Sequence, residues 1–203
     1  MNILKNMIWI ASILLLVPFI GSAQSAEYTL NKNSTMVITG TSTIHDWEAD
    51  VEEMDLSVSL DPALLDQKNP EAPVTSLSLN IPVKSIESGK GGMNRKIYGA
   101  LKEKDHPQIM FNLTSSELAD TVQSAESFTL KVKGNLNVAG TVNEVSFPVK
   151  GTKVGEDNYR FEGTYGINMK DYGVDPPSAV FGTIKSGEEV TIKFNILLTA
   201  NRH

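Results

Sequence analysis

GGMNRKIYGALKEKDHPQIMF, residues 91–111, is the one stretch after the N-terminal segment where the hydrophobic period lengthens from two to nearly four. Met93, Ile97 and Leu101 recur at i, i+4 and i+8, which places three apolar side chains on one face of a short helix. Asn94, Arg95, Lys96, Lys102 and Glu103 fall on its other faces. Gly91-Gly92 punctuates the entry, and His106-Pro107 is expected to end the segment, because proline pushes the residue before it out of the α region. Ile109, Phe111 and Leu113 then alternate with polar residues, as a half-buried strand does. A single short helix among strands needs an apolar surface to cover, and a sheet curled on itself offers one at its open end. The stretch therefore predicts a plug or lid on a β-barrel.

The flanking sequence supplies the strands. Tyr28–Leu30 and Thr35–Gly40 begin the series, with Met36 and Ile38 on one face. From His45 to Leu60 the alternation changes parity: Trp47, Ala49 and Val51 share one face, and Met54, Leu56, Val58 and Leu60 share it again one residue out of step. A β-bulge at Glu52-Glu53 would produce that switch. Asp61–Pro73 holds three prolines and reads as a loop with a helical turn at Ala63–Gln67. Leu77, Leu79, Ile81 and Val83 follow at a period of two, with Pro82 marking an edge, a bulge or the strand's end. Phe128 to Val138 is the cleanest alternation, Ala139-Gly140 a hairpin turn, and Val145, Phe147 and Val149 the return strand. Phe161 to Ile167 and Val190 to Leu198 complete eight strands, with Lys170–Pro177 as a loop between them. No repeat is present and no domain boundary interrupts the pattern.

The chain has 203 residues, three histidines, no cysteine and a net charge of −6. Lys5, the apolar run Met7–Ile20 and the small residues Gly21-Ser22-Ala23 predict a signal peptide over residues 1–23, cleaved after Ala23 or, as a second choice, after Ala26. The apolar run is shorter than the roughly 20 residues of a membrane span. Residues 24–203 then form one domain, periplasmic or secreted, without a lipidation cysteine or a membrane anchor. About 180 residues can bury a core without disulfide staples. The basic residues are scattered, which argues against nucleic acid as a partner.

Eight strands with one apolar face close into a barrel that leaves no edge exposed. The inward parity is aliphatic and aromatic along nearly every strand. Space left there would be dry and would suit an elongated apolar guest, but the same side chains could pack against one another and fill the interior, and patterning alone favours the filled core. Alternation by itself fits both. Trp47, Ile97, Leu101, Phe111, Leu130, Phe147, Tyr165, Ile167, Phe181 and Phe194 are the expected walls of such a cavity.

Three groups of residues resemble the YceI-like domain of secreted bacterial proteins. They are Gly40-Thr41-Ser42-Thr43-Ile44-His45-Asp46-Trp47, the helix segment Met93–Leu101 with Lys104–Phe111, and Tyr165-Gly166-Ile167-Asn168 followed by Lys170-Asp171-Tyr172-Gly173 and Gly187-Glu188-Glu189-Val190. The match covers essentially all of residues 26–199, in order. The resemblance implies an all-β fold, an extended eight-stranded antiparallel lipocalin-like barrel, whose interior holds a long isoprenoid or other amphiphilic lipid without catalysis. It favours a lined cavity over a filled one. Two departures are the long proline-rich loop 61–73 and Asn94-Arg95-Lys96, where many members carry an acidic residue.

Catalytic and metal chemistry finds little support. No His-x-His spacing exists for a metal site, no Gly-x-Ser-x-Gly marks a hydrolase, and no cofactor is implied. His45 beside Asp46, with Asn94 and Arg95 at the start of the helix, are the candidates for a lipid head group; the bland alternatives are a hydrogen-bonded rim and a solvated helix face. The expected partner is an isoprenoid-like lipid, with a homodimer compatible. Two other readings remain at this point: an envelope protein with a filled barrel acting through its outer surface on a protein partner, and an enzyme acting on a lipid held in the barrel.

Overall fold

The computed structural model describes residues 26–61, 74–119, 126–156, 158–179 and 182–201. The signal segment 1–23, the turn at 63–67 and Phe181 lie outside the described residues. Twelve strands run in chain order: β1 Ala26–Leu30, β2 Thr35–Ser42, β3 Trp47–Val51, β4 Asp55–Leu60, β5 Val74–Pro82, β6 Ile86–Glu87, β7 Gln108–Leu118, β8 Ser127–Val138, β9 Thr141–Lys153, β10 Asn158–Asn168, β11 Ser178–Ala179 and β12 Ile184–Ala200. One helix, α1 Gly91–Ala100, lies between β6 and β7.

The strands close into an eight-membered antiparallel ring, because β1-β4-β5-β7-β8-β9-β10-β12 returns to β1 through the pairing of Tyr28–Leu30 with Leu198–Ala200. β2, β3 and β6 extend three of these strands toward the helix end: β2 pairs with the first half of β12, β3 with β2, and β6 with β3. The eight alternating runs of the sequence are thus the eight staves of the barrel.

The parity switch in the second run takes the form of a break. β3 stops at Val51 and β4 starts at Asp55; opposite it, Pro82 ends β5 and Val83–Ser85 makes a 3-10 turn. The expected single bulge at Glu52-Glu53 becomes a bend of two neighbouring strands together, held by the Glu52 N–H donating to Ser85 O (2.9 Å) and the Ser85 hydroxyl donating to Glu53 O (3.2 Å). The hairpin at Ala139-Gly140 forms as expected, with φ of 51° and 85° and Val138 opposite Thr141. Two positive φ values match the twist of the flanking strands.

Serine hydroxyls repair other lapses in the ladder. Where the β5–β7 ladder stops at Ser78 opposite Asn112, the Ser116 hydroxyl donates to Val74 O and accepts from Val74 N–H, both at 3.1 Å. Ser34, in the turn between β1 and β2, bonds Leu197 N and O in the same way (3.0 and 3.2 Å). Ser116 is 1% exposed, so removing its oxygen strands a buried N–H. Ser116→Ala is expected to cost about 1–3 kcal/mol, read as a lowered denaturant midpoint with unchanged slope.

The helix ends at Ala100, short of His106-Pro107. Lys102 takes a left-handed φ of 54°, the Glu103 N–H donates to Tyr98 O (3.0 Å) and the Lys102 N–H to Gly99 O (3.1 Å). This is a Schellman ending that uses lysine where glycine is usual. His106 comes six residues past the last helical residue and packs against the hairpin instead, where a Cβ on Gly140 would meet its ring at 2.5 Å.

Candidate functional site

The interior of the barrel is built differently at its two ends. At the end holding Ala26 and Asn201, Tyr28, Phe128, Tyr159 and Phe161 form a cluster of rings, with centroids 5.8 Å apart for Tyr28–Tyr159, 6.3 Å for Phe128–Tyr159 and 6.1 Å for Phe128–Phe161. Leu60, 0% exposed, packs with them, and Phe161, Leu130 and Leu198 form the floor at which the hollow begins. That end is solid. Toward the helix end, inward-pointing Leu56, Leu77, Leu79, Ile109, Phe147, Tyr165, Ile192 and Phe194 are only half buried. Side chains that face inward yet keep accessible surface line empty space.

That space is a cavity of about 250 Å³. Along β12 its walls run from Val190 to Leu198, about 26 Å of strand at ~3.3 Å per residue, or roughly 20 Å along the axis at a tilt near 40°. Every lining residue is aliphatic, aromatic, methionine or proline. The polar atoms among them are few. Burial, with a smaller push from Asp171, raises the Tyr165 phenol above its ordinary range, and burial also raises that of Tyr172. Both therefore stay protonated near neutral pH and offer hydroxyls, not bases. The Trp47 indole N–H is shared between Thr41 O and Ser186 Oγ, each at 3.1 Å.

Large rings surround a hollow because several of them lie on glycines. Trp47 faces Gly40, Phe194 faces Gly163 and Phe128 faces Gly151 directly across a strand pair; Phe111 covers Gly134 from one step along. A Cβ on any of these four glycines would stand 2.2–2.4 Å from the ring. Each ring thus occupies the room of a missing side chain on the neighbouring strand and lies along the wall, a pairing that also supports the curvature glycine permits.

Two elements cap the hollow end. From one side α1 inserts Ile97, Ala100 and Leu101; from the other come Met169, Tyr172, Val174 and Pro177. The segment 169–177 reads as a plain loop in the sequence, and its role was signalled only by Tyr172 and Val174, apolar residues both now buried. The Lys96 ammonium donates to Ser178 O and ties the two caps together. The helix is strapped to β6 by Glu87: its carboxylate accepts from Asn94 Nδ2 and from the Tyr98 hydroxyl (2.7 Å). Burial and the bonded Glu87 carboxylate push the Tyr98 phenol up to about 12. The fold thus favours the neutral phenol, and its contribution is complete below pH 10, where the unfolded phenol begins to ionise, and is lost as pH rises through about 12. The melting temperature is expected to fall across that window, and Tyr98→Phe to reduce the slope.

Trp47, Ile97, Leu101, Phe111, Leu130, Phe147, Tyr165, Ile167 and Phe194 all line the cavity. His45, Asn94 and Arg95 do not, and the fold does not bring them together. His45 is exposed, with Nδ1 2.9 Å from Asp46 O. Asn94 is buried with its amide spent on the strap, its Oδ1 accepting from the Ser88 N–H (2.9 Å) and hydroxyl (2.6 Å). Arg95 points to solvent. Among the described residues, no helix is long and apolar enough to cross a membrane, and no group of three or more His, Asp or Glu gathers to hold a metal.

Comparison with known proteins places this architecture. A search of curated proteins found no match. Among solved structures, BcnA of Burkholderia cenocepacia superposes with a TM-score of 0.67 at 20% identity, over 83% of this chain and 99% of that one. A polyisoprenoid binding domain from Saccharophagus degradans, implicated in plant cell wall breakdown, superposes with a TM-score of 0.63 at 12% identity, over 88% and 100%. A Campylobacter jejuni YCEI protein gives 0.56 at 13% identity, over 76% and 85%. At these identities the likeness is one of fold. The YceI-like domain profile matches residues 28–198, nearly the whole barrel, and the chain belongs to that family.

Proposed function

We propose that this protein binds a long apolar amphiphile of the isoprenoid type, tail in the lumen, and sequesters or carries it without chemical change. The observation that carries the reading is the slender apolar cavity, with no charged group among the described residues of its wall. Each methylene buried contributes on the order of 0.8 kcal/mol, so ten carbons offset an association cost of several kcal/mol. The solved relative described as a polyisoprenoid binding domain supports the ligand class. The N-terminal apolar segment supports export to the periplasm or the medium, where a water-insoluble lipid needs a carrier between membranes.

The test is organic extraction of protein purified from its native compartment, followed by mass spectrometry, together with melting of stripped protein with added polyprenol. A bound lipid and a raised melting temperature are expected; a ligand at a hundred times its dissociation constant stabilises by about 2.7 kcal/mol. An empty extract and an unmoved melting curve would end the proposal.

A further inference from the structure

We propose that the gap between the upper halves of β9 and β10 is a side doorway into the lumen and the seat of the lipid's head group, which takes an uncharged hydrogen-bonding head such as an alcohol and disfavours phosphate. The proposal rests on the lipid-binding reading and extends it.

The ladder between these strands runs only from Tyr159 opposite Lys153 to Glu162 opposite Lys150. Both strands continue, to Thr141 and to Asn168, and the same register would set Val149 opposite Gly163 through Glu144 opposite Asn168. None of these positions pairs. Elsewhere Ser34, Ser85 and Ser116 bridge the lapses, whereas here no backbone or serine bond joins the facing edges. Pro148 sits in the middle of the gap and brings no N–H to an edge, which is tolerated where a strand is unpaired.

An opening of about 400 Å³ lies at the Glu144–Asn168 end of the gap. Its lining includes Asn143, Glu144, Asn168 and Asp171, and it shares Tyr165, Ile167 and Tyr172 with the apolar cavity. The two spaces therefore have part of their walls in common, at the tyrosines and Ile167. Across the gap the Phe147 and Tyr165 rings, 4.9 Å between centroids and tilted by 37°, make the closure that hydrogen bonds do not. A ring pair can part without breaking a ladder. Val142, one of two large apolar side chains left exposed among the described residues, stands beside Asn143 at the lip.

The chemistry of the lip selects the head. Among the described residues, no basic side chain lines the opening. Glu144 is paired with Lys133 on the neighbouring strand (3.0 Å). Asn143 Nδ2 donates to Asp171 O (2.9 Å), and Asn168 accepts from the Lys170 N–H (2.9 Å) and donates to Glu189 (2.7 Å). What faces a guest is hydroxyl, amide and carboxylate, which bonds an alcohol and repels a phosphate.

Two cross-links separate this doorway from the capped end. Ser146→Cys with Gly166→Cys, both on the outer face and the latter with open space at Cβ, would be bridged by a short bis-maleimide across the gap. Lys96→Cys with Ser178→Cys would bridge the two caps. Uptake and release of a fluorescent polyprenol are expected to slow at least tenfold in the first and to stay within twofold in the second. Slowing only in the second overturns the doorway and leaves lipid binding intact; no uptake by either variant before bridging, or by the wild type, overturns both. Polyprenyl phosphate of the same chain length is expected to bind at least tenfold more weakly than the polyprenol, and equal or tighter binding overturns the head-group assignment.

Discussion

Leu79→Trp combined with Ile192→Trp is expected to abolish lipid binding while leaving the empty protein at least as stable as the wild type. Both side chains line the cavity, both are half buried, and both pack against the cluster of Met36, Ala49, Val51, Ile81, Ile86 and Ile97 beneath the helix. In a filled core two added rings would strain their neighbours by about 1–3 kcal/mol each. Here they enter empty space and gain contacts instead. If together they displace roughly five methylenes of guest, at ~0.8 kcal/mol each, the loss is about 4 kcal/mol, or nearly a thousandfold in affinity. Titration with a polyprenol and a melt of the stripped protein check the two halves. Undiminished affinity would mean that the tail does not occupy this lumen.

The second large effect sets one end of the barrel against the other. Gly151→Ala places a Cβ 2.2 Å from the Phe128 ring, and Gly163→Ala places one 2.3 Å from the Phe194 ring. Locally the two clashes are alike. Phe128 is 2% exposed and wedged against Tyr159 and Phe161, so it has nowhere to go and the substitution is expected to cost about 3 kcal/mol. Phe194 is half buried beside the cavity and can swing inward. Its cost is expected to stay below about 1 kcal/mol, partly offset by the lower entropy of the unfolded chain. Denaturant midpoints of the lipid-free variants decide the matter, and equal costs would contradict a hollow and a solid end.

How much of this was readable beforehand follows from the range over which each signal acts. The staves, the parity switch, the stop at Pro82, the Ala139-Gly140 hairpin and the lid-forming face of Ile97 and Leu101 are local periodicities, and each has a counterpart in the fold. Whether the interior was filled or hollow was not local. It turned on what stands beside each ring, Phe128 against Tyr159 and Phe161 at one end and Phe194 beside open space at the other, and those matches are set by register between strands. The helix end was misplaced because proline is a visible stop, while Lys102 in a left-handed conformation carries no sign in its side chain. Asn94 looked available as a polar residue near a rim; its partners Ser88 and Glu87 were within seven residues, but only the turn through Gly89 aims them at it. Pro148 in mid-strand was the readable hint of an unpaired edge.

The ring cluster at the solid end makes the barrel a blind tube. A guest must then go in tail first and back out the same way, and the distance from Phe161 to the lip acts as a ruler. Chains up to that reach should gain affinity with every added carbon; longer ones would leave their surplus in water and gain nothing, so affinity plotted against chain length should rise and then level off.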